Sequence, residues 1–172
     1  MVGLGTRLHG KIGTGGIIVA VIILAAVLFI AASVIFSLAP TKVDIAAGSH
    51  FPCTVISIYD GDGPINCAEV DAQGKQVAIR LRGIEAREPD NTCQLATCPP
   101  MSGAQAKAVL TRLAVGRMQC VSFGPSYNRV DASCFSATGV DISCELIRRG
   151  AAERWPEYDR EGRLVHCVPG RN

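Results

Sequence analysis

Residues 54–84 read TVISIYDGDGPINCAEVDAQGKQVAIRLRGI, and the alternation of β-branched runs with turn formers in this stretch decides the fold class. The run 54–59 ends at Asp60-Gly61-Asp62-Gly63-Pro64, a cluster that breaks a strand and starts a turn. A second strand is expected over 65–70. A hairpin turn over 71–75, with Gly74, leads into a third strand over 76–84 whose Val77, Ile79 and Leu81 share one face. Three consecutive strands make a meander.

Downstream, 102–115 places Ala106, Val109, Leu110 and Leu113 at helical spacing, with Ser102 as cap and Gly116 as stop. Strands are expected over 117–123 and 130–136, around a turn at 124–128, and a further helix over 141–149 ends at Gly150. Five strands with helices after the third and fifth predict an α+β, mostly β domain. The expected architecture is a five-stranded barrel of the oligonucleotide/oligosaccharide-binding (OB) type with two to three helices, because closure disposes of exposed edges.

Upstream, residues 17–39 carry no charge, and at 1.5 Å per residue they are long enough to span a hydrocarbon core of about 30 Å. A single transmembrane anchor is the expectation, with a cleaved signal peptide as the competing reading. Arg7 and Lys11 precede the run, so residues 1–16 are expected in the cytoplasm and the remainder outside it, periplasmic or extracellular. A linker over 40–50 then leads to the domain at 51–172. With the two N-terminal basic residues set aside, 15 basic face 15 acidic residues. A bulk positive field that would draw nucleic acid is therefore excluded, and any such binding must rest on a local site.

All eight cysteines lie beyond the anchor, and an even count in an exported domain reads as disulfides. Cys93 and Cys98 flank four residues in a proline-bounded loop and are expected to pair. The other six leave 15 pairings open.

Polar residues concentrate at 60–62, 80–88 and 127–129. Asp-Gly-Asp at a strand end, Arg80-Leu81 followed by Ile84-Glu85-Ala86-Arg87-Glu88, and a Tyr127-Asn128-Arg129 turn, in that order, resemble the motifs of the staphylococcal nuclease (thermonuclease) family. The resemblance covers about residues 51–160. It implies one calcium ion held by Asp62, Glu85 and the carbonyl of Ala86, with Glu88 acting on the attacking water. Arg80 and Arg129 would clamp the scissile phosphate, with Tyr127 near it and Trp155 and Tyr158 near the base. Hard oxygen ligands and two guanidinium forks suit those roles.

Three positions depart from the family's pattern: Glu85 for its aspartate, Arg87 for its proline and Gly63 for its threonine. Arg87 leaves open repulsion of the metal, pairing with Glu85 or Glu88, a phosphate contact, or exposure to solvent. The functional expectation is a membrane-anchored extracytoplasmic nuclease acting on DNA or RNA, with the membrane met through 17–39 and no protein partner evident. The alternative is a catalytically weak or inactive module that binds nucleic acid or an envelope partner.

Overall fold

The computed structural model describes residues 14–37 and 40–170, which form two compact units divided at Ala39 and Pro40. The first holds one helix, α1 (Thr14–Ser37), with side chains described at 18, 19 and 21–30, all exposed. Among the described residues no helix is long and apolar enough to cross a membrane. The cytoplasmic segment expected before α1 falls largely outside the described residues, as do 38 and 39 of the expected anchor.

The second unit is built on a closed five-stranded barrel of mixed pairing, in the order β1–β2–β3–β6–β5. Strands β1 (His50–Ile58), β2 (Ile65–Val70) and β3 (Gln76–Leu81) form the expected antiparallel meander. β3 alternates as its sequence requires, with Val77, Ile79 and Leu81 turned into the core. Closure comes from β6 (Arg129–Phe135), parallel to β3 and antiparallel to β5 (Arg117–Ser126), and from β5 pairing with β1. Helix α2 (Gly103–Leu113) opens on a Ser102 and Gln105 capping box, and α3 (Ile142–Arg148) on Asp141, whose carboxylate accepts from the Cys144 N–H. Their buried faces, including Ala106, Leu110, Leu146 and Ile147, complete a core centred on Phe51, Ile65 and Met118.

Four disulfides staple this unit, and among the described residues no cysteine is free. Cys53–Cys67 ties β1 to β2, Cys120–Cys134 ties β5 to β6, and Cys144–Cys167 ties α3 to the C-terminal segment. Cys93–Cys98 closes the expected local loop.

Three expectations change. The third strand stops at Leu81, because Gly83 adopts φ +80° and a Cβ there would meet Asp159 and Leu164 side chains at 3.1 Å. The chain then starts a separate strand, β4 (Ile84–Ala86), which pairs antiparallel with β7 (Ala152–Arg154) away from the barrel. β5 runs through Gly124 and Pro125 by way of a bulge, so the turn shrinks to Tyr127 and Asn128. The segment expected as a linker is bonded to the barrel instead. Val43 N–H donates to the Val70 carbonyl, and the Ser122 hydroxyl donates to that of Ile45.

Candidate functional site

The loop 60–64 between β1 and β2 is shaped by its own side chains. Asp60 Oδ1 accepts from the N–H groups of Asp62 at 3.1 Å and Gly63 at 2.9 Å, a tight Asx turn. Gly61 passes between α2 and β4 with no room for a side chain, since a Cβ would lie 2.6 Å from those of Ala106 and Ala86. Gly63 sits at φ +125° with the Ile79 carbonyl against it, which accounts for glycine at this position. This loop directs Asp62 inward, against the start of the β4 sheet.

There Asp62 Oδ2 accepts from the Ala86 N–H at 3.2 Å and from Arg80 Nη2 at 3.2 Å. Glu85, fully buried on β4, accepts through Oε2 from the same Arg80 Nη2 at 2.9 Å and through Oε1 from the Gln94 N–H at 2.9 Å. One guanidinium nitrogen thus joins two buried carboxylates. Burial of Asp62 pushes its pKa up to about 8, with Asp60 and Glu85 adding to the rise and Arg80 opposing it. Partial burial, and then the charges of Asp60 and Glu85, raise the pKa of Glu88 as well. Its carboxylate has no hydrogen-bond or ion-pair partner among the described residues.

Arg87 settles into none of the acid pairings that its sequence position left open. Its Nε donates to the Pro99 carbonyl at 2.8 Å and its Nη1 to that of Asn91 at 2.7 Å, so it ties down the disulfide loop. That loop in turn carries the Gln94 N–H onto Glu85. Arg87→Ala is therefore expected to speed amide exchange of residues 88–100 by about tenfold while the rest of the barrel exchanges unchanged, a loss of roughly 1.4 kcal/mol in local stability.

Beside the acids lies a cleft of about 270 Å³ whose walls include Arg80, Arg82, Arg129, Tyr127, Trp155 and Tyr158. Arg129 opens β6 immediately after the turn, with Nε buried and unpartnered among the described residues. Tyr127 holds that turn at φ +55°, its ring almost wholly in solvent. Trp155 and Tyr158 meet edge to face at 4.6 Å, and the Arg80 guanidinium lies 5.8 Å from the Trp155 ring centre.

The fold therefore gathers Asp62, Glu85, Ala86 and Arg80 at one point, and places Arg129, Tyr127, Trp155 and Tyr158 on the cleft that Arg80 shares. Glu88 stands close enough for the neighbouring charges to shift it. Cys93 and Cys98 brace the loop above Glu85. Among the residues of the cleft that sequence reasoning passed over are Arg82, Asp131 and Gln94. Asp131 carries the one signal available, a spacing of two from Arg129 along β6, whereas Arg82 falls in the turn past β3, where no period applies.

The donor set suits a hard cation. Asp62 and Glu85 offer only oxygen, are buried, and have Arg80 as their one countercharge among the described residues. Two other groups of potential ligand atoms lie elsewhere, Cys144 with His166 and Cys167, and Cys53 with Cys67 and Glu69. Their sulfurs are spent in disulfides, and Glu69 already accepts from the N–H and hydroxyl of Thr54. No protein-family model matches the chain, and neither does any curated protein sequence.

Proposed function

We propose that the domain hydrolyses phosphodiester bonds of DNA or RNA with the help of a calcium ion, and that α1 tethers it to a membrane with the domain on the oxidising side. One observation carries the reading: two buried carboxylates converge on a single guanidinium at the edge of a cleft that also holds Arg129, whose buried Nε has no partner among the described residues. The sequence resemblance to the staphylococcal nuclease family supports it, and a closed five-stranded barrel with helices after β4 and β6 is compatible with the OB type that the resemblance implies. Four disulfides support an oxidising compartment, and the uncharged sequence of α1 supports the tether.

Each residue has a task in this reading. Asp62 and Glu85, with Ala86 beside them, would hold the ion, which supplies positive charge against the phosphate and so admits a nucleophile to an otherwise repelling anion. Arg80 and Arg129 bind the phosphate oxygens and neutralise charge that grows as the phosphorus becomes pentacoordinate. Glu88, with its carboxylate free of protein partners, accepts the proton of the attacking water. Tyr127, Trp155 and Tyr158 offer ring faces to the bases, a sequence-tolerant contact. Arg80 must leave the two carboxylates to reach a phosphate.

The detergent-solubilised full chain is expected to degrade single-stranded DNA when calcium is added and to lose that activity in a chelator. Binding of the same strands without cleavage at any calcium concentration would replace the enzyme with a nucleic-acid-binding module. Neither binding nor cleavage removes both.

A further inference from the structure

We infer that Arg82 forms a second phosphate subsite in the cleft, one that takes the phosphate of a polynucleotide next to the one held by Arg80 and Arg129. The inference rests on the proposed function and adds to it a substrate class: a strand with at least two phosphodiesters, not a mononucleotide.

Arg82 lies two residues beyond Arg80, just past the end of β3, and both side chains line the same cleft, so a strand bound at Arg80 passes Arg82. Its backbone is held in line, with the Arg82 N–H donating to the Ala132 carbonyl at 3.0 Å. The guanidinium stacks on Phe123 of β5 at 4.4 Å from the ring centre, which fixes its plane and covers one of its faces. Its remaining donors are only loosely used among the described residues: Nε is buried without a partner, and Nη1 and Nη2 make long ion pairs with Asp131 Oδ2 and Glu161 Oε1, both at 3.7 Å and beyond hydrogen-bond range.

Other arginines of this domain show what a satisfied guanidinium looks like here. Arg154 donates from Nε to Asp159 Oδ2 at 2.5 Å and from Nη2 to the Asp159 carbonyl at 3.0 Å, and Arg87 donates to two carbonyls. Among the described residues, Arg82 and Arg129 are the two arginines whose Nε is buried and unpartnered, and both line the same cleft. A buried donor without an acceptor costs stability that an oxygen-rich anion restores, and the guanidinium fork matches phosphate. Aromatic rings on the same cleft, at Trp155 and Tyr158, favour an anion that carries bases.

Asp131 works against this subsite. It faces Arg80 across the β3–β6 pair in register, lines the cleft, and sets a negative charge beside Arg82. Glu161 is more than half exposed and can swing into water. The opposition of Asp131 gives a test in which binding is gained.

Binding of a labelled eight-residue oligothymidylate to the full chain in detergent, with chelator present to prevent cleavage, is followed by anisotropy at several salt concentrations. Arg82→Gln is expected to bind about tenfold more weakly, with the slope of log K against log salt smaller by about 0.7, one phosphate contact on a single strand. Thymidine monophosphate, which needs only the Arg80 and Arg129 site, is expected to compete equally well in both. Asp131→Asn keeps shape, removes only a loose ion pair, and is expected to bind the oligonucleotide severalfold tighter, so the inference stays testable should Arg82→Gln misfold. An unchanged salt slope in Arg82→Gln, or no gain in Asp131→Asn, overturns the Arg82 subsite and leaves the clamp standing. A wild-type chain that binds neither oligonucleotide nor monophosphate removes the functional reading beneath it.

Discussion

Glu88→Gln is expected to slow phosphodiester cleavage by about 10² or more while leaving the affinity for a nucleotide inhibitor within a few-fold. The substitution keeps size and shape and removes only the capacity to accept a proton. It leaves the fold intact, because Glu88 is held entirely through its backbone. Its N–H donates to the Thr92 carbonyl, its own carbonyl accepts from Asn91, and Gly103 packs against it too closely for a Cβ. Burial and the nearby carboxylates raise the Glu88 pKa, so the acid limb of the wild-type rate profile is expected above the ordinary glutamate range. That limb is expected to vanish in Glu88→Gln. A variant that cleaves as fast as wild type, with the same acid limb, would show that the proton goes elsewhere.

The meander was legible because β3 obeys a simple rule, with apolar residues at every second position along one strand. The acidic loop was legible because Asp60, Gly61 and Gly63 each serve a turn that only such residues make. What escaped was structure set by distant contacts. β4 and β7 are three residues each, too short to show a period, and exist because Ile84, Glu85 and Ala86 find Arg154, Glu153 and Ala152 opposite them. Cys120 and Cys134 stand directly across from each other in the β5–β6 ladder, a pairing readable only once the register is known.

Arg82 and Arg87 show the same limit for the site. Both sit in a charged run that reads as solvated surface. One lies on Phe123 and the other spans two loop carbonyls, partners that come from β5 and from residues 91 and 99. Composition placed the charges, and tertiary contacts assigned their tasks. Arg87 thus has a physical task, since its bonds to the Pro99 and Asn91 carbonyls stiffen the loop they close.

Asp62→Asn is expected to stabilise the cation-free domain at neutral and alkaline pH, by on the order of 5 kcal/mol near pH 8, and to change nothing below pH 4. The sign follows from protonation. In the folded domain the Asp62 pKa is raised to about 8, with burial the largest cause, against 3.8 as the ordinary value. Between those two values the folded state keeps a proton that the unfolded chain has lost. Stability from this group is therefore complete below about pH 4 and falls as pH rises through 8. Asparagine cannot ionise and can still accept from the Ala86 N–H, so the variant loses that pH dependence. Denaturant midpoints measured in chelator from pH 4 to 9 check it, and parallel curves for the two proteins would refute the argument. Calcium separates structure from function in the same experiment. If Asp62 is a ligand, saturating calcium raises the wild-type midpoint by mass action and leaves Asp62→Asn nearly unmoved. A carboxyl that costs the cation-free domain stability above pH 4 is then the one that supplies an anionic oxygen to the cation.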